Sequence, residues 1–113
     1  MAYDEELAER VRERFFAERD VTERRMFGGL AFLLEGSMTV AVSGSGGLMV
    51  RVDPDHGTAL CEADGVAPMI MNRRPMRGWL RVAPDVVEGE DALDEWIARA
   101  VAYVRDTINA PIA

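Results

Sequence analysis

Met26-Phe27-Gly28-Gly29-Leu30-Ala31-Phe32-Leu33-Leu34 is an apolar run with two adjacent glycines at its head and the cationic pair Arg24 and Arg25 just before it. Glycine gives up more backbone freedom on folding than any other residue and packs no side chain. The pair therefore marks a bulge, a sharp bend or a close backbone approach. Beyond it, Leu30, Phe32 and Leu34 fall on one side of a strand, and Glu35-Gly36-Ser37 reads as a turn. Met38, Val40 and Val42 alternate next. The Ser43-Gly44-Ser45-Gly46-Gly47 loop then leads into Leu48, Val50 and Val52, with Arg51 on the opposite side. Three strands joined by short glycine-rich turns predict an antiparallel meander.

Upstream, residues 4 to about 19 have helical spacing. Tyr3, Leu7, Val11 and Phe15 form an apolar stripe with Ala8 beside it, and Asp4 is placed to cap the helix. Glu6/Arg10 and Arg14/Glu18 are helix-spaced pairs on the face left to solvent. Downstream, Asp53-Pro54-Asp55 predicts a helix start, and Asp64-Gly65 its end. Val66 to Met71 fits a short edge strand, which tolerates Pro68. Gly78 to Val82 reads as a strand with Leu80 and Val82 inward and Trp79 and Arg81 outward. A final helix is predicted from about Asp91 to Asn109, with a stripe running from Leu93 to Ile108 and Pro111 barring extension. The order α-β-β-β-α-β-β-α, with about five strands and three helices, predicts a two-layer α+β fold: an antiparallel sheet with helices gathered on one face. Residues 1–113 form a single domain on this reading. The other face carries Met49, Arg51, Trp79 and Arg81, which suits a protein partner or an isologous dimer.

Composition narrows the function classes. An apolar fraction of 49% and a charged fraction of 29% belong to a soluble globular chain, and no apolar run approaches the ~20 residues of a membrane span. The acidic start, Met1-Ala2-Tyr3-Asp4-Glu5-Glu6, lacks a signal-peptide layout, so the expected location is cytoplasmic. A net charge of −7 argues against direct nucleic-acid binding. Cys61 is alone and reads as a small buried hydrophobe. His56 is the only histidine and has no Ser, Cys or ligand set beside it. Gly44-Ser45-Gly46-Gly47 enters a strand, whereas a phosphate loop opens a helix, so it reads as a hairpin connection. Asp53/Asp55 and Glu90/Asp91 fall at helix starts, where capping accounts for them. No catalytic set is found, and no metal or cofactor is expected.

All thirteen cationic residues are arginines, and six cluster: Arg24 and Arg25, then Arg73, Arg74, Arg77 and Arg81. The second run, Arg73-Arg74-Pro75-Met76-Arg77-Gly78-Trp79-Leu80, holds no acidic residue. Two readings stand side by side. It is a polar loop entering a strand, with arginine stems covering Trp79 and Met76, or a site for an acidic partner, a carboxylate or a phosphate. The nearby Met69, Met71 and Met76 fit either core filling or an adaptable contact surface.

Met26-Phe27-Gly28-Gly29-Leu30-Ala31-Phe32, followed by Gly36-Ser37-Met38, Leu48-Met49-Val50-Arg51-Val52, Pro68-Met69 and Arg74-Pro75-Met76-Arg77-Gly78-Trp79, resembles the N-terminal domain of the TfoX/Sxy family. On that resemblance Met26, Phe27, Gly28, Gly29, Pro75, Met76 and Gly78 are signature structural positions. It implies an α+β fold and kinship with regulators of bacterial competence genes, which act as coactivators alongside a DNA-binding transcription factor. Two-domain regulators carry a further helical domain, which is not found before Ala113. Relatives place an aromatic and a glycine where this chain has Met71-Asn72-Arg73. The expectation is a non-enzymatic regulatory module that contacts a protein partner through Arg24, Arg25, Arg73, Arg74, Arg77, Trp79 and Arg81. The alternative is a pocket under Met26-Phe27-Gly28-Gly29, closed by Arg73 or Arg74, for a carboxylate or phosphate metabolite.

Overall fold

A computed structural model describes residues 3–26 and 28–110. Phe27 of the opening motif and Pro111, expected to stop the last helix, lie outside the described residues. Helix α1 (Glu5–Phe15) is followed by β1 (Val21–Met26), β2 (Gly29–Leu34), β3 (Ser37–Val42) and β4 (Leu48–Arg51). A 3-10 turn (Pro54–His56) runs into the short α2 (Gly57–Leu60); β5 (Val66–Met71) and β6 (Arg74–Val82) come next. After a second 3-10 turn (Pro84–Val87), α3 (Glu90–Tyr103) continues as a π-helical turn (Val104–Ile108). The strands form one antiparallel sheet in the order β1-β2-β3-β4-β6-β5. Among the described residues, no helix is long and apolar enough to cross a membrane.

The α+β reading holds, with six strands in place of about five. The added strand is β1, whose Thr22, Glu23, Arg24 and Arg25 are all exposed. An edge strand left open on both sides carries no apolar alternation, which is the signal that marks a strand in sequence. Three boundaries also move. The first helix ends at Phe15, β6 begins at Arg74, and the helix expected from Asp53 to Gly65 shrinks to two short turns. Cys61 sits at the end of α2, half-buried against the edge of the core, so it is not the buried hydrophobe expected.

The main core lies between the sheet and the helices. Leu30, Phe32, Val40, Val42, Val50 and Leu80 meet Val11 and Phe15 of α1 and Leu93, Ile97 and Ala100 of α3. Asp4 caps α1 as expected, its carboxylate accepting from the Glu6 and Leu7 amides at 3.0 and 3.1 Å. The helix-spaced pairs Glu6/Arg10 and Arg14/Glu18 do not form. Arg10 and Arg14 instead reach across to Glu90, and Arg14 also to Asp94, while Glu18 accepts from Arg105. The helices lie side by side, so α3 presents carboxylates where α1 has its arginines. At the far end Asn109 ties α3 to the β2–β3 hairpin, donating to the Leu34 carbonyl at 3.0 Å and accepting from Ser37 Oγ at 2.7 Å.

Two paired carboxylates, Glu23 and Glu90, contribute to the acid response. The hydrogen bond from Arg12 holds the Glu23 carboxyl below its ordinary value, against an opposing effect of burial. Arg14 does the same for Glu90, again against desolvation and with help from Arg10. Burial pulls Arg14 down, but its bonds to Glu90 and Asp94 outweigh this and leave it raised. A carboxyl depressed in the folded state means that the unfolded chain binds more protons. Its stabilisation is therefore complete above the ordinary value of 4.5 and is lost as pH falls through the folded value. Glu23→Gln is expected to cost a few tenths to about 1 kcal/mol at pH 7, as for other exposed pairs, and to flatten the stability-pH curve below pH 4.5. Urea unfolding at a series of pH values measures both. An acid limb as steep as the wild type's would show that the pair contributes nothing.

The β5–β6 hairpin turns tightly at Asn72-Arg73. Met71 pairs with Arg74, leaving a two-residue loop of Asn72 (φ 53°) and Arg73 (φ 66°), both in the left-handed region that a type I′ turn demands. Asn accepts this conformation. Arg in the second place, where Gly is the usual residue, is strained by about 1 kcal/mol. Arg73→Gly is expected to stabilise the domain by about 0.5 kcal/mol, the relief being offset in part by the freer unfolded chain. The urea midpoint should rise at constant slope; a fall would show that the arginine side chain contributes more than its strain costs.

Candidate partner-binding face

The sheet has two faces with different chemistry. Register places Leu30, Phe32 and Leu34 toward the helices and Ala31 and Leu33 away from them. On the away side Ala31, Leu33, Ala41 and Met49 form a second apolar cluster, covered by Met26, Met38, Met69 and Trp79. Small residues at the bottom and long thioethers above leave a hollow of about 470 Å³ lined by Met26, Met38, Met49, Met69 and Met71, with Gly28, Gly29 and the Ser43–Ser45 loop at its rim. Flat, six strands would set the edges about 24 Å apart, five spacings of ~4.8 Å. Here edge strands β1 and β5 both contribute methionines to one hollow, so the sheet coils around it.

Met38 reaches this face through an irregularity that the alternation did not show. Phe32 pairs with Val40 but Leu33 pairs with Met38, so Thr39 is unopposed, and Met38 turns away from Val40 and Val42. Thr39 is fully buried, and its hydroxyl donates to the Ser37 carbonyl at 3.2 Å. The expectation that Met38, Val40 and Val42 share one side is corrected by this bulge.

The arginines divide between the faces. Arg24 pairs with Ala31 and lies on the open face, whereas Arg25 pairs with Leu30 and lies on the helix face. Arg51 and Trp79 are cross-strand partners, with the guanidinium 5.6 Å from the ring centroid, and Met49 and Arg81 are the next pair. Arg74, opposite Met71, shares the open face, while Arg73 is in the turn. Arg77 is on the helix side and reaches Asp55 at 3.3 Å. The proposed set of seven is therefore split: Arg24, Arg74, Trp79 and Arg81 share one face, and Arg25, Arg73 and Arg77 do not join them.

The signature residues also serve two sites. Gly28 and Gly29 border the methionine hollow. Pro75, Met76 and Gly78 line a second hollow of about 250 Å³ against Pro54 and Cys61. Gly78 donates no side chain there for a reason: a Cβ would meet Pro54 Cγ at 3.3 Å, and its carbonyl accepts from the Val52 amide at 2.9 Å. Neither Arg73 nor Arg74 lines the methionine hollow, whose only side-chain polar groups among the described residues are the hydroxyls of Ser43 and Ser45.

Charge is sorted just as sharply. Of the twenty acidic residues only Glu23 lies in a strand, and it faces the helices, bonded to Arg12 at 2.6 Å. No strand residue of the open face is acidic. Arg10, Arg12, Arg14, Arg77, Arg99 and Arg105 each have a carboxylate partner. Among the described residues Arg24, Arg51, Arg74 and Arg81 have none; Arg51 and Arg81 donate to the carbonyls of Met38 and Gly46, at 3.2 and 3.5 Å.

The coiled antiparallel sheet, its helix layer and the glycine-headed first hairpin accord with a family match. The model of the TfoX N-terminal domain family aligns with residues 13–104. No curated protein and no solved structure matches the chain significantly. The family match spans most of the 113 residues, from within α1 to the end of α3, and the chain belongs to the TfoX N-terminal domain family.

Proposed function

We propose that this chain is a regulatory interaction module of the TfoX kind, which engages a protein partner through the open sheet face. One observation carries the reading: in a chain of net charge −7, that face has an apolar floor and arginines without carboxylate partners. Elsewhere Arg10, Arg12, Arg14, Arg77, Arg99 and Arg105 are paired with carboxylates, while Arg19, Arg25 and Arg73 are not among the described residues. A surface whose charges are left unmatched while its apolar side chains surround a hollow has the chemistry of a contact surface. The family's link to transcription coactivators supports a regulatory role, with a transcription factor as the partner class.

The face-specific test compares Arg51→Glu/Arg81→Glu with Arg77→Glu, which changes the same charge type on the helix side. In quantitative affinity purification from native lysate, the double variant is expected to lose its specific partners at least tenfold and Arg77→Glu to keep them. Equal partner profiles for all three proteins would count against the open face.

A further inference from the structure

We propose that the methionine hollow, together with the arginines elsewhere on the same sheet face, receives the apolar side of an acidic amphipathic helix from a partner protein, a step that rests on the open-face reading above. The floor decides between a helix and an extended segment. Its lining side chains are thioethers, Ala41 and Val42, with two serine hydroxyls, and most of its exposed surface is apolar. An extended peptide laid there would strand its N–H and C=O groups against apolar surface, at about 1–3 kcal/mol for each buried group. A helix satisfies its own backbone and brings only side chains to the surface.

Methionine suits that role. An unbranched, polarisable side chain adapts to the stripe it meets, and Met26, Met38, Met69 and Met71 are half-buried side chains free to repack around an inserted residue. Charge sets the sign of the partner. Arg24, Arg51, Arg74 and Arg81 present guanidiniums on the same face without a carboxylate among the described residues, so acidic side chains flanking the helix stripe would complete them. A second copy docked face to face would bring further arginines and no strand carboxylate to the open face. Among the described residues of this face a single-stranded nucleic acid would find one aromatic, Trp79, already beneath Arg51, and no row of rings for successive bases.

Selection from a random 16-residue peptide display library against the whole chain tests the inference, with synthetic copies of the recovered peptides measured by fluorescence anisotropy. Recovered peptides should be acidic, carry apolar residues at i, i+3 or i+4 and i+7, and bind more weakly as salt rises. Arg51→Glu/Arg81→Glu and, independently, Arg24→Glu/Arg74→Glu should each weaken them at least tenfold, while Arg77→Glu leaves them within twofold. The second double variant guards against misfolding of the first, which loses the Arg51–Trp79 contact. Binders that need the arginines but are basic or lack helical spacing overturn the acidic helix and leave the open-face reading standing. Tighter binding by a 16-nucleotide oligo-dT probe also overturns it. Binders indifferent to both double variants overturn both readings, as does a selection that yields no specific binder.

Discussion

Phe32→Ala is expected to destabilise the domain by about 3–5 kcal/mol, the range for deleting a buried aromatic side chain. Phe32 is fully buried in β2, between β1 and β3, and its ring stacks on Phe15 of α1 with centroids 5.3 Å apart and planes 15° from parallel. An isolated helix of eleven residues is marginal in water, so α1 depends on its packing. Removing the ring opens a cavity in the sheet and takes away the aromatic contact that seats the end of α1. Against a total stability of about 5–15 kcal/mol for a domain, such a loss leaves little folded margin. Urea unfolding followed by circular dichroism measures it. Phe32→Leu, which refills most of the volume, should lose less than half as much; an alanine variant within 1 kcal/mol of wild type would show that the core collapses around the gap.

The two adjacent glycines, Gly28 and Gly29, are expected to respond very differently to alanine. A Cβ on Gly29 would lie 2.3 Å from the Val42 carbonyl oxygen and 3.3 Å from the Gly44 amide nitrogen. Both are backbone atoms, and the ladder that pairs Leu30 with Val42 holds that segment in place. The strands must part, and a loss of roughly 3 kcal/mol follows. Gly28 has open space around its Cα but a φ of +74°, so alanine there meets only the left-handed penalty of about 1 kcal/mol. The two variants, unfolded in parallel in urea, should differ about threefold in their effect. Equal losses would refute the division into one bend and one close approach. Both glycines border the methionine hollow, so Gly29→Ala should also weaken any ligand of that face.

Much of the framework was legible because local periodicity reports which residues of an element share a side. The alternation in Leu30–Leu34 and Leu48–Val52 and the stripe from Leu93 to Val104 marked buried faces that the structure retains, whereas Ile108, expected to continue the stripe, is exposed. The outward placement of Met49, Arg51, Trp79 and Arg81 followed from the same parity and holds in the register. The first strand was not legible, since Thr22 to Arg25 meet solvent and leave no pattern. The site was legible only in fragments. Met69 and Met71 stood out as a contact surface or as core filling, but nothing local joins them to Met26 on the opposite edge strand.

By itself, then, the sequence determined the fold class, the order of most elements and the family, because helical and strand periods and turn residues act over a few neighbouring positions. Tertiary structure alone decided that Arg24 and Arg25 part to opposite faces, that Arg77 turns to Asp55, and that Met38 joins the open face through the bulge at Thr39. It also decided that five methionines drawn from four strands surround one hollow. These outcomes depend on strand register, on one unpaired residue and on the coil of the whole sheet. Each is set by pairing between distant segments, which no local period records.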